Sequence, residues 1–211
     1  MWAEFSEKEY EIFLTREMLN FLKTKQIKFS IYIPSQKKEK YFGADSQLIN
    51  QSGKIMLLQY KVPYEYSGGK YLSTHRTFKV QLHSNNNYAQ NSILSNINKM
   101  GGLGLYVVPL FSKEKELRCF FYNDSIIKES QFIKARHKPN NCNKIVYSQC
   151  NAAYHCEEIK TDVFKFETVL DQLGKMNIIS IEELCKELNI GITEFLDIIR
   201  KNNIVMLVFE M

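Results

Sequence analysis

Long hydrophobic runs are absent from this chain. The longest, around Leu105 to Phe111 and Ile204 to Phe209, fall far below the roughly 20 residues that a bilayer-spanning helix needs. Glycine and proline are scarce, at 9 and 4 residues, which excludes collagen-like and low-complexity classes. The 5 cysteines are an odd number without the dense spacing of a secreted disulfide scaffold, so reduced thiols are expected. No C-x2-C or H-x3-H pair occurs. His137, Cys142, Cys150, His155 and Cys156 therefore read as ordinary polar and small apolar residues rather than a zinc site. The segment Met1 to Glu9 is charged where a secretory signal would be apolar, and the expected location is the cytoplasm.

What is present is the composition of a folded protein: 45% hydrophobic, 24% charged and 13% aromatic residues. A length of 211 residues accommodates one well-buried domain and a small appendage. The net charge of +5 is compatible with a nucleic-acid partner, although an Asn-, Ile- and Lys-rich coding bias accounts for it equally well. Distribution along the chain has to decide between them.

Ser6 to about Lys23 reads as a helix, capped by Ser6, with Glu7 and Glu9 in its first turn. Tyr10, Phe13, Leu14, Met18, Phe21 and Leu22 form its apolar stripe, and Glu7 and Glu17 project along the same stripe as inward carboxylates. Ile27 to Ile33 alternates as a strand and ends at Pro34. Ile55 to Val62 is a short apolar run stopped by Pro63, as in a buried central strand. A polar loop is expected over Tyr64 to Arg76, a strand over Thr77 to Leu82, a helix over Asn86 to Met100 closed by Gly101-Gly102, and a strand over Leu105 to Leu110.

This order, helix, three strands, helix, strand, predicts an α/β unit with a mixed sheet. Short strands are expected at Arg118 to Phe121, Lys144 to Tyr147 and Ala153 to His155, in an extension over 112–172 that completes a first domain of residues 1–172. Ser180 to Leu188 and Thr193 to Asn202 form a helix pair, followed by an apolar strand over Ile204 to Phe209. Residues 173–211 thus read as a helix-turn-helix-like or winged-helix-like module. The second helix of the pair has little basic excess, which favours a protein contact there over base reading.

The chemically informative residues sit at the end of the expected central strand. Gln59 and Lys61 are two apart, so they share a face. A lysine in such a run is costly to bury unless it meets a carboxylate or a ligand. Asp45, in Phe42-Gly43-Ala44-Asp45-Ser46, lies at a bend leading into the strand pair and is the expected partner.

Asp45, then Gln59-Tyr60-Lys61 on a strand, after a helix bearing inward Glu, resembles the PD-(D/E)xK nuclease superfamily in its D-xn-QxK variant, similar to Mrr-type restriction nucleases. The resemblance covers about residues 5–111 and implies a restriction-endonuclease-like core, α-β-β-β-α-β, with a mixed sheet flanked by helices. It further implies a role for each matched residue. Asp45 would bind Mg²⁺ or Mn²⁺, Gln59 would add a side-chain oxygen in place of the second carboxylate, and Lys61 would orient the attacking water and stabilise phosphorane charge. Glu7 or Glu17 would complete the metal site. The substrate would be nucleic acid, DNA before RNA, in a setting of prokaryotic restriction or antiviral defence. Such a site suits the reaction, because phosphodiester hydrolysis needs a hard cation on oxygen ligands and a nearby ammonium.

Lys37, Lys38, Lys40, Lys70 and Arg76 lie in loops flanking Asp45 and Lys61, where they would contact phosphates or simply form a solvated face. Nucleases of this fold often act as dimers, but no heptad marks a homodimer surface here. The competing readings are a catalytically inactive protein of the same fold that binds nucleic acid or a partner protein, and an adaptor using its C-terminal helices. Met100 to Gly104 reads as a helix cap, because phosphate-binding glycine loops run from strand into helix. Ser148, Cys150 and His155 lack a nucleophile elbow, and His75 and His83 read as surface histidines.

Overall fold

The computed structural model describes residues 3–32, 52–66, 77–82, 90–137, 144–149, 151–154, 159–202 and 204–209. It is a mixed α/β structure. Its elements are, in chain order, α1 (Glu7–Thr24), β1 (Phe29–Tyr32), β2 (Ser52–Tyr60), β3 (Tyr64–Tyr66), β4 (Thr77–Gln81), α2 (Gln90–Lys99), β5 (Leu103–Pro109), α3 (Glu114–Tyr122), β6 (Ser130–Lys134), β7 (Lys144–Tyr147), β8 (Ala152–Tyr154), β9 (Ile159–Thr161), β10 (Val163–Phe164), α4 (Phe166–Leu173), β11 (Ile179–Ser180), α5 (Ile181–Leu188), α6 (Ile192–Lys201) and β12 (Ile204–Phe209). Among the described residues, no helix is long and apolar enough to cross a membrane.

The main sheet is mixed, in the order β1-β12-β2-β5-β6-β10, with β11 added to the start of β2. β2 and β5 run parallel, and α2 lies on the connection between them. A second, antiparallel sheet runs β3-β4-β7-β8-β9.

Layering explains the apolar runs. One core holds Tyr10, Leu14, Met18 and Leu22 of α1 against Met56, Leu58 and Tyr60 of β2, Val107 of β5, Leu207 of β12 and Phe166 of α4. On the opposite face of the same sheet, Ile55 and Leu57 pack with Tyr106 and Val108, with Ile93 and Leu94 of α2, with Phe78 and Tyr147 of the second sheet, and with α5 and α6. Strands covered on both faces must be apolar at every position, and β5 and β12 are buried throughout.

The close approach of α2 to β5 depends on Gly104. A Cβ there would sit 2.1 Å from the Leu94 carbonyl oxygen. Asn98 of α2 clamps the same residue: its Oδ1 accepts from the Gly104 N–H at 2.8 Å, and its Nδ2 donates to the Gly104 carbonyl at 2.9 Å and the Ala135 carbonyl at 2.7 Å. Gly101 ends the helix with φ at +89°, so Met100 to Gly102 is a cap and turn, while Leu103 and Gly104, expected in the same turn, already belong to β5.

Several elements depart from the sequence reading. Arg118 to Phe121 is part of α3, not a strand. Glu116 accepts the Ser112 and Lys113 N–H groups at 3.3 and 3.0 Å to start the helix, and Leu117, Phe120 and Phe121 then follow helical spacing; a four-residue run is too short for periodicity alone to separate the two. Tyr64 to Tyr66, expected in a loop, pairs with β4. Thr77 to Leu82, expected as the third strand of the core, lies in the second sheet, while β1 pairs with β12 rather than with β2. The expected helix pair forms as α5 and α6, with Ser180 capping α5, but β12 is inserted between β1 and β2. Residues 173–211 therefore share the core of the main sheet, since a wholly apolar strand needs cover on both faces.

Gly104→Ala is expected to destabilise the fold by about 3 kcal/mol, because the added methyl meets helix backbone rather than a movable side chain. Urea denaturation of the variant against the wild type measures it.

Candidate active site at the end of the central strand

Two backbone bonds bring the start of α1 to the carboxyl end of the parallel strand pair. The Ala3 N–H donates to the Pro63 carbonyl at 3.1 Å, just beyond β2, and the Glu4 N–H donates to the Ser112 carbonyl at 2.9 Å, just beyond β5. Ser6 caps the helix, its Oγ accepting from the Glu9 N–H at 3.1 Å while Glu9 accepts the Ser6 N–H at 2.9 Å. Further along, the Thr15 and Tyr60 hydroxyls lie 2.9 Å apart. The Tyr10 hydroxyl donates to Ser130 Oγ at 2.7 Å, and Ser130 donates on to the Ile126 carbonyl at 2.7 Å. These buried polar links fix where α1 lies over the sheet.

Lys61 follows the last residue of β2, and its N–H still extends the ladder by donating to the Val107 carbonyl at 3.0 Å. Its side chain is only 2% exposed, and Nζ lies 3.5 Å from Glu7 Oε1. Burial lowers the Lys61 pKa by penalising the ammonium, and the Glu7 carboxylate opposes that shift. Glu7 itself is 39% exposed, so water supports its charge. The pair is a desolvated cation held by a partly solvated anion.

Gln59 is buried in β2. Its Nε2 donates to the Tyr60 carbonyl at 3.2 Å, and its Oε1 has no hydrogen-bond partner among the described residues. Strand alternation places it with Ile55 and Leu57, on the face shared with α2. Asp45 lies outside the described residues, as do Lys37, Lys38, Lys40, Lys70 and Arg76, and also Cys142, Cys150, His155 and Cys156. His137 is exposed. Among the described residues there is no group of three or more His, Cys, Asp or Glu side chains able to hold a metal.

The two helix carboxylates have separate surroundings. Glu7 meets Lys61, whereas Glu17 accepts the Ile126 and Ile127 N–H groups at 2.9 and 3.3 Å and holds the turn after α3. Burial raises the Glu17 pKa, against the lowering effect of those two N–H groups. The most buried carboxylate of α1 is one the sequence reading passes over: Glu11, 4% exposed, paired with Lys8 at 2.8 Å. Its signal was available. Glu7, Glu11, Thr15, Met18 and Leu22 recur at intervals of four and three, the row on which helical residues stack. Thr15 and Glu11 are the polar half of that row.

Comparison with protein-family models, with curated proteins and with solved structures found no match.

Lys61→Met is expected to raise stability by about 1 kcal/mol, because it removes a desolvated charge and leaves Glu7 in contact with water. The sign carries a pH dependence. With its folded pKa lowered, Lys61 binds fewer protons in the native than in the unfolded chain over the window just below the ordinary lysine value of about 10.4. The penalty is therefore full below the lowered value and fades as pH rises through that window. The thermal midpoints of wild type and Lys61→Met should converge as pH is raised toward 10, and a constant gap would contradict the account.

Proposed function

We propose that this chain is a metal-dependent nuclease that hydrolyses phosphodiester bonds of nucleic acid, DNA before RNA, with its active site at the carboxyl end of β2. The observation that carries this reading is Lys61: a nearly fully buried lysine at the end of the central strand, with Glu7 as its partner at 3.5 Å and, two residues before it, a buried amide oxygen without a partner among the described residues. A structural lysine gains nothing from such a position, whereas a cation poised to meet a phosphate does. The restriction-endonuclease-like core is part of the same proposal; the parallel pairing of β2 with β5, joined through α2, supports it, whereas β4 lies in the second sheet and β12 stands between β1 and β2.

The donors available suit a hard divalent cation. Glu7 offers a carboxylate beside Lys61, and Asp45 would supply a further one; these two would hold Mg²⁺ or Mn²⁺, while the amide oxygen of Gln59, the third ligand expected from the sequence, alternates onto the α2 face, opposite α1. The cation supplies charge neutralisation of the phosphate and acidification of a water. Lys61 contributes in its own right. Its ammonium lies where it stabilises the negative charge that develops as water oxygen bonds to phosphorus and the P–O bond to the leaving oxygen breaks. Burial strengthens that effect by excluding competing solvent. The Tyr60–Thr15 bond and the anchored start of α1 hold Glu7 in register with it.

Purified protein incubated with duplex DNA, single-stranded DNA and RNA is expected to cleave in Mg²⁺ or Mn²⁺ and to stop in chelator. Lys61→Ala and Asp45→Ala should each lower the rate by about 100-fold or more. Binding without cleavage under either metal would overturn the catalytic reading and leave a nucleic-acid-binding protein of this fold.

A further inference from the structure

The second sheet has one face in the core and one outside. Along β4, β7 and β8 burial alternates residue by residue, with Phe78, Val80, Ile145, Tyr147, Ala152 and Tyr154 packed inward. The ladder fixes what the outer positions bring together. Lys79 of β4 lies opposite Val146 of β7, Val146 opposite Ala153 of β8, and Ala153 opposite Lys160 of β9, so these four form a single row across four strands. Lys144 stands in the neighbouring row, opposite Gln81.

Glu65 is the one acidic residue in the five strands of this sheet, and it is in register with Phe78, in the alternate set. The outer strand positions therefore carry charge of one sign, with two small apolar residues between Lys79 and Lys160. Burial lowers the Lys79 pKa, and the Lys144 ammonium beside it lowers it further. Like charges gathered on a sheet face oppose folding, and a bound polyanion reverses that contribution.

Scale and position distinguish among polyanions. Lys79 and Lys160 are three strand spacings apart, about 14 Å, which is the rise of about four nucleotides. A phosphate backbone laid across the strands would meet a cation at each end of the row. The row also begins close to the candidate site: Tyr64 of β3 pairs with Lys79 and follows Lys61 by three residues, a reach of at most about 11 Å. A membrane surface suits this face less well, because interfacial binding needs apolar area to insert. The exposed large apolar residues among the described ones are Ile12, Tyr122 and Ile178, none of them in this sheet.

We propose that the outer face of the second sheet is a nucleic-acid-binding surface, on which Lys79, Lys144 and Lys160 contact backbone phosphates of a strand that leads toward the end of β2. The assignment stands on the charge and register of this sheet and needs no metal, so it goes beyond the nuclease reading rather than resting on it.

The test is fluorescence anisotropy of labelled single-stranded and duplex DNA with the full chain in chelator, over a range of salt. Wild type is compared with Lys160→Gln, with the triple variant Lys79→Gln/Lys144→Gln/Lys160→Gln, and with a control of equal net charge, Lys23→Gln/Lys115→Gln/Lys186→Gln, whose lysines are exposed on α1, α3 and α5. Thermal melting accompanies each, and Lys160 is itself exposed, so the single variant reports the surface even where the triple variant melts early. Each face lysine removed is expected to lower the slope of log affinity against log salt by about 0.7 on single-stranded and about 0.9 on duplex DNA, and the triple variant to bind about tenfold more weakly, with the control unchanged. Equal weakening in the control overturns the assignment, because net charge alone then accounts for binding. Unchanged slopes in the face variants, or a wild type that binds neither DNA, also overturn it and leave the nuclease reading to the cleavage assay. Lysine-dependent binding by a chain that cleaves nothing in Mg²⁺ or Mn²⁺ supports the surface and overturns the nuclease reading. Capture of wild type by phosphatidylserine vesicles, lost in the triple variant and without binding to DNA, overturns nucleic acid as the occupant.

Discussion

The structure is organised by the burial of β2 on both faces. With α1 on one side and α2 and the second sheet on the other, the run Ile55 to Leu58 of β2 has no solvent-facing position and is apolar throughout. The first polar groups at its end, Gln59 and Lys61, are then desolvated whatever their function. Such groups persist only where something answers their charge or dipole. Lys61 has Glu7. The oxygen of Gln59 has no such partner among the described residues.

The placement of α1 follows from the same constraint. Its apolar row needs the β2 face, but an apolar contact alone tolerates sliding by a turn. Discrete polar links remove that freedom: Ala3 to Pro63, Glu4 to Ser112, Thr15 to Tyr60, and Tyr10 through Ser130 to Ile126. A displacement along the helix would leave several buried hydroxyls unpaired at once. Glu7 is thereby held at the end of β2, and Glu17, ten residues on, is committed to the turn at Ile126 and Ile127. One helix thus serves both the candidate site and the packing of α3.

Stability and chemistry pull apart at this point. An apolar side chain at position 61 would avoid the desolvation that a lysine meets there, and the Gln59 amide oxygen nearby has no partner among the described residues. Sequences that break local rules in one place while obeying them elsewhere commonly do so at functional sites. Everything around the end of β2 obeys them: the capping box on α1, the clamp of Asn98 on Gly104, and the apolar β5 and β12.

Local pattern was enough for much of this. The helix from Ser6, the buried central strand, the helix ending at Gly101 and the helix pair near the C-terminus all follow from capping, periodicity and turn chemistry, each decided within a few residues. The unusual character of Lys61 was legible for the same reason, as a charge in an apolar run. Partnership was not. Nothing local says that β12 pairs with β1 and β2, because pairing is chosen by which apolar faces remain uncovered once the chain has collapsed. Nor does the sequence say that Glu7 rather than Glu17 meets Lys61, since both lie along one stripe and only the anchoring of α1 separates them.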